Sequence, residues 1–340
     1  MGAQGAMFWL WRQQPAGQEM THGAIMHSWN QPSANFDDIA GLGAELEKDS
    51  EWLSKLTVKK ADVGILYDIN NSNFLSIENS ANEISYYKDW TYRFYLPLMK
   101  SGYQRDVINL TTPINSYKLL FIPLAPYLPS AYIAKLIDWV KKGNTLIVGP
   151  MTGYRTEEWA GQSQFGLGLL EKLCGFTTGA RIPIGTQPRP AEELIRLTYT
   201  DTSLASPATA RLWAEDYVNL TPLATYTNSI LKDKIAIGSK KVGNGRVILL
   251  GTDPGTRTIE RIIVGEARKL NLVPNCLPQS GIAHCMHTGS NGNGYLLAVN
   301  LSVEPRSMVL SKLWTNLDSK VSQTGNLILK PFEVVKLVQK

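Results

Sequence analysis

The feature that most constrains this chain is the alternation of short apolar runs and amphipathic stretches between residues 57 and 270. The runs at 62–67 (DVGILY), 118–122 (KLLFI) and 145–148 (TLIV) are too short for helices and lack polar alternation, so each predicts a strand buried on both faces. Residues 106–110 predict a further short strand. Between these runs, Ser80 and Glu83 form a capping box for a helix with Ile84, Tyr87, Thr91, Phe94 and Leu98 on one stripe. Pro97 predicts a kink in it, and Gly102 a stop. Ser130 caps a second helix, with Ile133, Leu136, Ile137 and Val140 on one face and Gly143 after it. Strand, helix, strand, strand, helix, strand is the order of an α/β fold with a parallel sheet covered on both faces.

The rest of this region is harder to read. A helix is expected at 165–173, closing near Gly175, and Pro183, Pro188 and Pro190 predict irregular backbone. Strands are expected around Thr198 and Thr200, at 223–227, at 235–241 and at 246–250, with Gly243-Asn244-Gly245 as a hairpin turn. A last helix at 258–270 carries Ile259, Ile262, Ile263, Ala267 and Leu270. From residue 273 the pattern changes to alternating runs such as 295–300 and 333–338, separated by turn signals at 289–294 (GSNGNG) and at Gly325-Asn326. That predicts a small antiparallel β-domain over 273–340.

Residues 1–56 hold one strand, one loop and one helix. The strand is the apolar run 6–11, closed by Arg12 and Pro15. The loop is polar and carries Glu19 and His22. Asn35 is positioned to cap the helix, with Asp37 and Asp38 in its first turn. Its stripe of Phe36, Ile39, Leu42, Leu46, Leu53 and Leu56 is broken by Asp49. One βα unit cannot close a barrel, which needs eight. Alone it exposes its sheet edges and an aromatic face, so it must borrow neighbours or pack abnormally.

Composition narrows the function classes. With 34 basic and 29 acidic residues in 340, the net charge of +5 is small and the basic residues are scattered, which argues for a solvated surface and against a nucleic-acid groove. No run of about eighteen apolar residues predicts a membrane span. The odd, sparse set Cys174, Cys276 and Cys285 argues against a disulfide framework and fits a reducing, cytoplasmic compartment. Cys276, His284, Cys285 and His287 match no zinc spacing, so no metal or other cofactor is expected.

The run Trp9, Trp11-Arg12-Gln13, then Glu19 and His22 before Gly23, resembles the last barrel strand and following loop of glycoside hydrolase family 42, the β-galactosidases. The resemblance continues, more weakly, to the end of the chain. It implies the last βα unit of a (β/α)8 barrel at 1–56, a trimerisation domain at 57–272 with a flavodoxin-like, class I amidotransferase-like parallel sheet, and a C-terminal β-domain at 273–340. In an amidotransferase a nucleophilic Cys sits between two glycines after a strand. Here Gly149-Pro150-Met151-Thr152-Gly153 puts Met151 in that place, and a thioether cannot become a thiolate.

By the resemblance, Glu19 and His22 hydrogen-bond galactosyl hydroxyls and Trp9 stacks on the sugar's apolar face. The family commonly has Phe at the position of Trp9, so the pocket is expected to be narrower. Read from the residues alone, Trp9 and Trp11 are equally core side chains, His22 a loop residue, and Arg12 a partner for a carboxylate at the strand end. His27 and Trp29 lie in the same loop region. Retaining hydrolysis needs two carboxylates about 5 Å apart. The family's catalytic pair is expected on earlier barrel strands, before Met1, so no catalytic residue is assigned here and the chain by itself is expected to be inactive. The expected partners are a β-galactoside and two further copies in a homotrimer. The alternative is a non-catalytic oligomerisation or sugar-binding module.

Overall fold

The computed structural model describes residues 3, 5–78, 84–204, 208–277 and 281–339. The proposed capping pair Ser80 and Glu83 lies outside them. At the centre is an eleven-stranded mixed sheet. Five of its strands run parallel, in the spatial order Arg105–Ile108, Val63–Leu66, Leu119–Ile122, Thr145–Val148 and Gly245–Leu250. The three strands at 63–66, 119–122 and 145–148 are buried at every position, as their unbroken apolar runs require. Helix Ser130–Lys141 covers the sheet with Ile133, Leu136, Ile137 and Val140. Helix Thr256–Lys269 does so with Ile259, Ile262, Ile263 and Ala267. Each isoleucine, leucine or valine among them contributes about 1.5–3 kcal/mol on full burial.

Beyond Gly245–Leu250 the sheet turns antiparallel through Ile235–Val242, Thr221–Tyr226, Arg196–Tyr199 and Ala208–Thr209. The hairpin at Gly243-Asn244 forms as expected. Two of the longer strands were not legible in the sequence, nor was the short Ala208–Thr209. Leu212–Val218 pairs with Ile235–Val242 and with Thr177–Gly185, the latter running through Pro183. Leu212–Val218 (LWAEDYV) is almost wholly buried although Glu215 and Asp216 lie at its centre. Glu215 accepts from Tyr217 at 2.6 Å, from Trp213 Nε1 at 3.2 Å and from Arg181 Nε at 3.2 Å, and Asp216 accepts from the Ala180 amide at 2.7 Å.

The helix before Gly102 differs from expectation in register. Tyr86–Asp89 is α-helical, Trp90–Tyr95 is a π-turn, and Leu96–Lys100 returns to α. The buried stripe is Tyr86, Trp90, Phe94 and Leu98, while Tyr87 is 66% exposed and Thr91 only half-buried. Pro97 has no N–H and its ring clashes with the carbonyl four residues back. The widened turn, closed by the Leu96 amide on Thr91 O, precedes it in place of a kink. Ser130 is not the cap of the next helix but its first residue; the cap position is held by Pro129, whose side chain makes no cap hydrogen bond.

The C-terminal sheet has six antiparallel strands in the order Leu56–Val58, Ile282–Gly289, Gly294–Asn300, Val334–Gln339, Arg306–Asn316 and Ser322–Leu329. Its own core includes Ile282, Leu296, Met308, Leu310, Trp314, Leu329, Val335 and Leu337. The turn expected at Gly325-Asn326 falls inside the strand Ser322–Leu329. Gly325 has φ +78° and pairs with Leu310, where the ladder register shifts, so its left-handed backbone serves an irregularity in the strand.

The first fifty residues depart most from expectation. Phe36–Leu53 is a helix, although the Asn35 side chain makes no cap hydrogen bond. The run 6–11, expected as a buried strand, forms no ladder; Arg12 makes one isolated parallel bridge to Met26. Of that run only Leu10 is buried, while Trp9 is 75% and Trp11 65% exposed. A buried parallel strand needs a neighbour on each side to satisfy its backbone. Among the described residues none pairs with this run as a strand.

A candidate sugar-binding loop

Residues 8–35 fold back on themselves through backbone hydrogen bonds. The Ile25 amide donates to Leu10 O at 3.1 Å, the Met26 amide to Trp11 O at 2.8 Å, and the Gln13 amide to Met26 O at 2.9 Å. Gln13 Nε2 donates to Met20 O at 2.8 Å, which ties the far side of the loop. Gly17, at φ +94°, makes the reversal between them. A shallow cleft of about 440 Å³ opens between this loop and the start of helix Phe36–Leu53. Its walls include Trp9, Gln13, His22, His27, Asn35 and Ile39.

Two of the three expected sugar contacts, Trp9 and His22, therefore line one cleft. Glu19 does not line it. Its backbone carbonyl accepts from the His22 amide at 3.0 Å, and its carboxylate accepts from Gln14 Nε2 at 3.3 Å. Glu19 is thus one turn from the cleft. It is also the single carboxylate in residues 12–35. The exposed indole of Trp9 offers a flat apolar face, and the imidazole of His22 and the amide of Gln13 offer polar groups beside it. Such a wall can hold a pyranose, whose one face is apolar and whose edge is hydroxyls. It cannot by itself cleave a glycosidic bond, for want of a paired carboxylate.

Arg12 does not meet a carboxylate. Its Nη1 donates to Asn30 Oδ1 at 2.8 Å, bracing the end of the run 6–11 against the turn at residues 27–31. His27 stacks on Trp29, with ring centroids 4.3 Å apart and planes 5° from parallel. The sequence placed both in this loop region but gave no means of pairing them.

The second motif of interest lies after strand Thr145–Val148. Met151 is fully buried with φ +57°, so the backbone there takes the left-handed turn that usually favours glycine. Thr152 is also buried; its hydroxyl donates to Ile122 O and accepts from the Ala125 amide, each at 3.2 Å. Neither side chain is an available nucleophile. Burial pushes the Cys174 thiol up to about 12, so it stays protonated. Among the described residues no cluster of His, Cys, Asp and Glu is arranged to hold a metal, and no helix is long and apolar enough to cross a membrane.

Comparison with known proteins gives a consistent picture. A family model described as "Beta-galactosidase trimerisation domain" matches residues 61–272, and one described as "Beta-galactosidase" matches residues 1–49. Beta-galactosidase YesZ of Bacillus licheniformis is 27% identical over 341 residues, covering 98% of this chain and 49% of that protein. Beta-galactosidase YesZ of Bacillus subtilis is 25% identical over 340 residues, again 98% of this chain and 49% of that protein. The chain spans about half the length of these curated relatives. The crystal structure of a beta-galactosidase from Bacillus circulans sp. alkalophilus superposes with a TM-score of 0.85 at 18% identity, over 98% of this chain and 49% of that one. The beta-galactosidase from Rahnella sp. R3 superposes with a TM-score of 0.81 at 16% identity, over 97% of this chain and 48% of that one.

Proposed function

From the premise that this chain belongs to glycoside hydrolase family 42, the β-galactosidases, we propose that it carries the sugar-contact loop and the assembly domain of a retaining enzyme acting on terminal β-galactosides. The observation that carries this reading is the single cleft that joins Trp9 and His22 at the end of residues 8–13. In it Trp9 stacks on the galactosyl ring, and His22 bonds its hydroxyls. Glu19 reaches the sugar only after its turn moves toward the cleft, or acts by holding His22. The bond-breaking pair of carboxylates is not supplied by this loop, since Glu19 stands alone in it.

The same premise divides the chain at 1–56, 57–272 and 273–340. The middle part is read as flavodoxin-like and related to class I amidotransferases. Support comes from its five parallel strands, whose order reverses once, beside Val63–Leu66. Further support is the left-handed turn at Met151, which stands where such an enzyme has its nucleophile. With a thioether there, the middle part keeps a scaffold and not the chemistry. Its role is to bring three copies together, each offering its galactoside site. The three cysteines, buried and outside any disulfide, suit a reducing compartment such as the cytoplasm.

The second reading is a sugar-binding module without hydrolysis, favoured by the lone Glu19. Two measurements test what the readings share. The purified 340-residue chain is incubated with a chromogenic β-galactoside, and no turnover is expected. Galactose is then titrated against tryptophan fluorescence. Quenching should be lost in Trp9→Ala, and the galactose Kd should rise about tenfold in His22→Ala, a loss of about 1.4 kcal/mol. Turnover that survives Glu19→Ala but needs another carboxylate of this chain overturns both readings.

A further inference from the structure

Helix Phe36–Leu53 joins two places that the sequence gives no reason to connect. Its first turns supply Asn35 and Ile39 to the wall of the sugar cleft. Its middle is gripped by the C-terminal sheet. Lys336, on strand Val334–Gln339, donates to Glu45 Oε1 and to Asp49 Oδ2, each at 2.6 Å, and lies 3.3 Å from Asp318 Oδ1. Asp49 is the polar residue that breaks the helix's apolar stripe, and Lys336 is what it was waiting for. Both are buried. Two further contacts share the load. Trp52 stacks on Tyr295 at 5.8 Å and 12°, and strand Leu56–Val58, just past the helix, pairs with Ile282–Gly289.

At about 1.5 Å rise per residue, Asp49 stands about 15 Å along the helix from Ile39. A helix of this length is stiff on that scale, so a clamp at one end fixes the other. The clamp is also unbalanced, one ammonium facing three carboxylates. Burial alone would lower the Lys336 pKa, but its hydrogen bonds to Asp49, Glu45 and Asp318 outweigh that and raise it. Without the ammonium the carboxylates would repel each other across the junction, and the helix would lose its fixed seat.

We propose that Lys336 is a positioning residue for the sugar site: by clamping Glu45 and Asp49 it lets the C-terminal sheet hold the Asn35–Ile39 wall of the cleft in place against Trp9 and His22. This rests on the sugar-contact reading above, and the test keeps the two apart.

The test compares the full chain with Lys336→Met, Lys336→Arg and Glu45→Gln, with the exposed Lys330→Met as control. Galactose affinity is read by tryptophan fluorescence, and backbone protection over residues 22–53 by hydrogen exchange. In Lys336→Met the galactose Kd should rise about tenfold and protection over 34–45 should fall, while protection of the 63–66 and 119–122 strands stays. Lys336→Arg should restore both readouts to within about threefold of the parent, since a guanidinium keeps the charge and the donors. Lys330→Met should change neither. If Lys336→Met fails to fold, Glu45→Gln, which removes a half-exposed arm of the clamp, should still raise Kd about threefold, and an unchanged Kd then overturns the proposal. If the parent chain binds no galactose, the sugar-contact reading falls. Exchange then decides alone: protection lost over 34–45 in Lys336→Met supports the clamp, and protection unchanged overturns it. Equal galactose affinity in the parent and Lys336→Met, with equal exchange, also overturns it.

Discussion

His284 shows how a single side chain ties stability to pH. It is 1% exposed, on strand Ile282–Gly289, with Nδ1 3.4 Å from Asn275 Nδ2. Burial first, and then the charge of Arg105, push its pKa from the ordinary 6.5 down to about 3. The folded chain therefore keeps it neutral while the unfolded chain protonates it below about pH 6.5. Its contribution is complete above 6.5 and shrinks as the pH falls toward 3, by about 1.4 kcal/mol per pH unit. His287, also shifted down by burial, acts in the same direction. Urea midpoints measured from pH 7 to 4 should fall in the parent and fall less steeply in His284→Asn. Residue identities of this kind were only partly legible. That Met151 offers no ionisable thiol was plain from sequence alone. Asp49 looked like a defect in a helix stripe, because its partner Lys336 lies 287 positions away and no local pattern links them.

Elements were legible where burial and propensity agree. The runs 62–67, 118–122 and 145–148 became strands within a residue or two, because an unbroken apolar run has one stable place, between two layers. Strand Leu212–Val218 was hidden because its two acidic residues are satisfied by Arg181 and Ala180, a neighbour known only after folding. The helix stripe slipped by one residue, from Tyr87 to Tyr86, because a π-turn adds a residue that a 3.6-residue period does not count. The stop at Gly102 was read correctly but its strictness was not. Gly102 has φ +84°, and a Cβ there would lie 2.1 Å from Cys276 O. Gly102→Ala should destabilise the chain by about 3 kcal/mol or more, read from the urea midpoint, since neither the backbone nor the facing carbonyl can give way.

At the scale of the whole molecule, the chain carries a well-packed α/β core beside an aromatic face left open by residues 7–11. The sequence anticipated that contrast, since a single βα unit cannot enclose itself. It did not show that helix Phe36–Leu53 would seat on the C-terminal sheet instead. Sedimentation of the purified protein should give a particle of three 37.7-kDa chains, as the family's trimerisation domain leads us to expect. A monomer at micromolar concentration would count against that assembly. Trp9→Ser with Trp11→Ser should leave the melting temperature within about 2 °C and raise solubility, because both indoles face solvent and neither supports the core.

Strand Leu56–Val58 and the Lys336 clamp also set an order of events during synthesis. The helix at 36–53 leaves the ribosome before the lysine that seats it, which arrives 291 positions after Glu45. At roughly 5–20 residues per second, the nascent helix waits some tens of seconds with Glu45 and Asp49 unpaired and the Trp52 indole without its Tyr295 partner. A chaperone that captures exposed aromatics would find this chain longest in that interval.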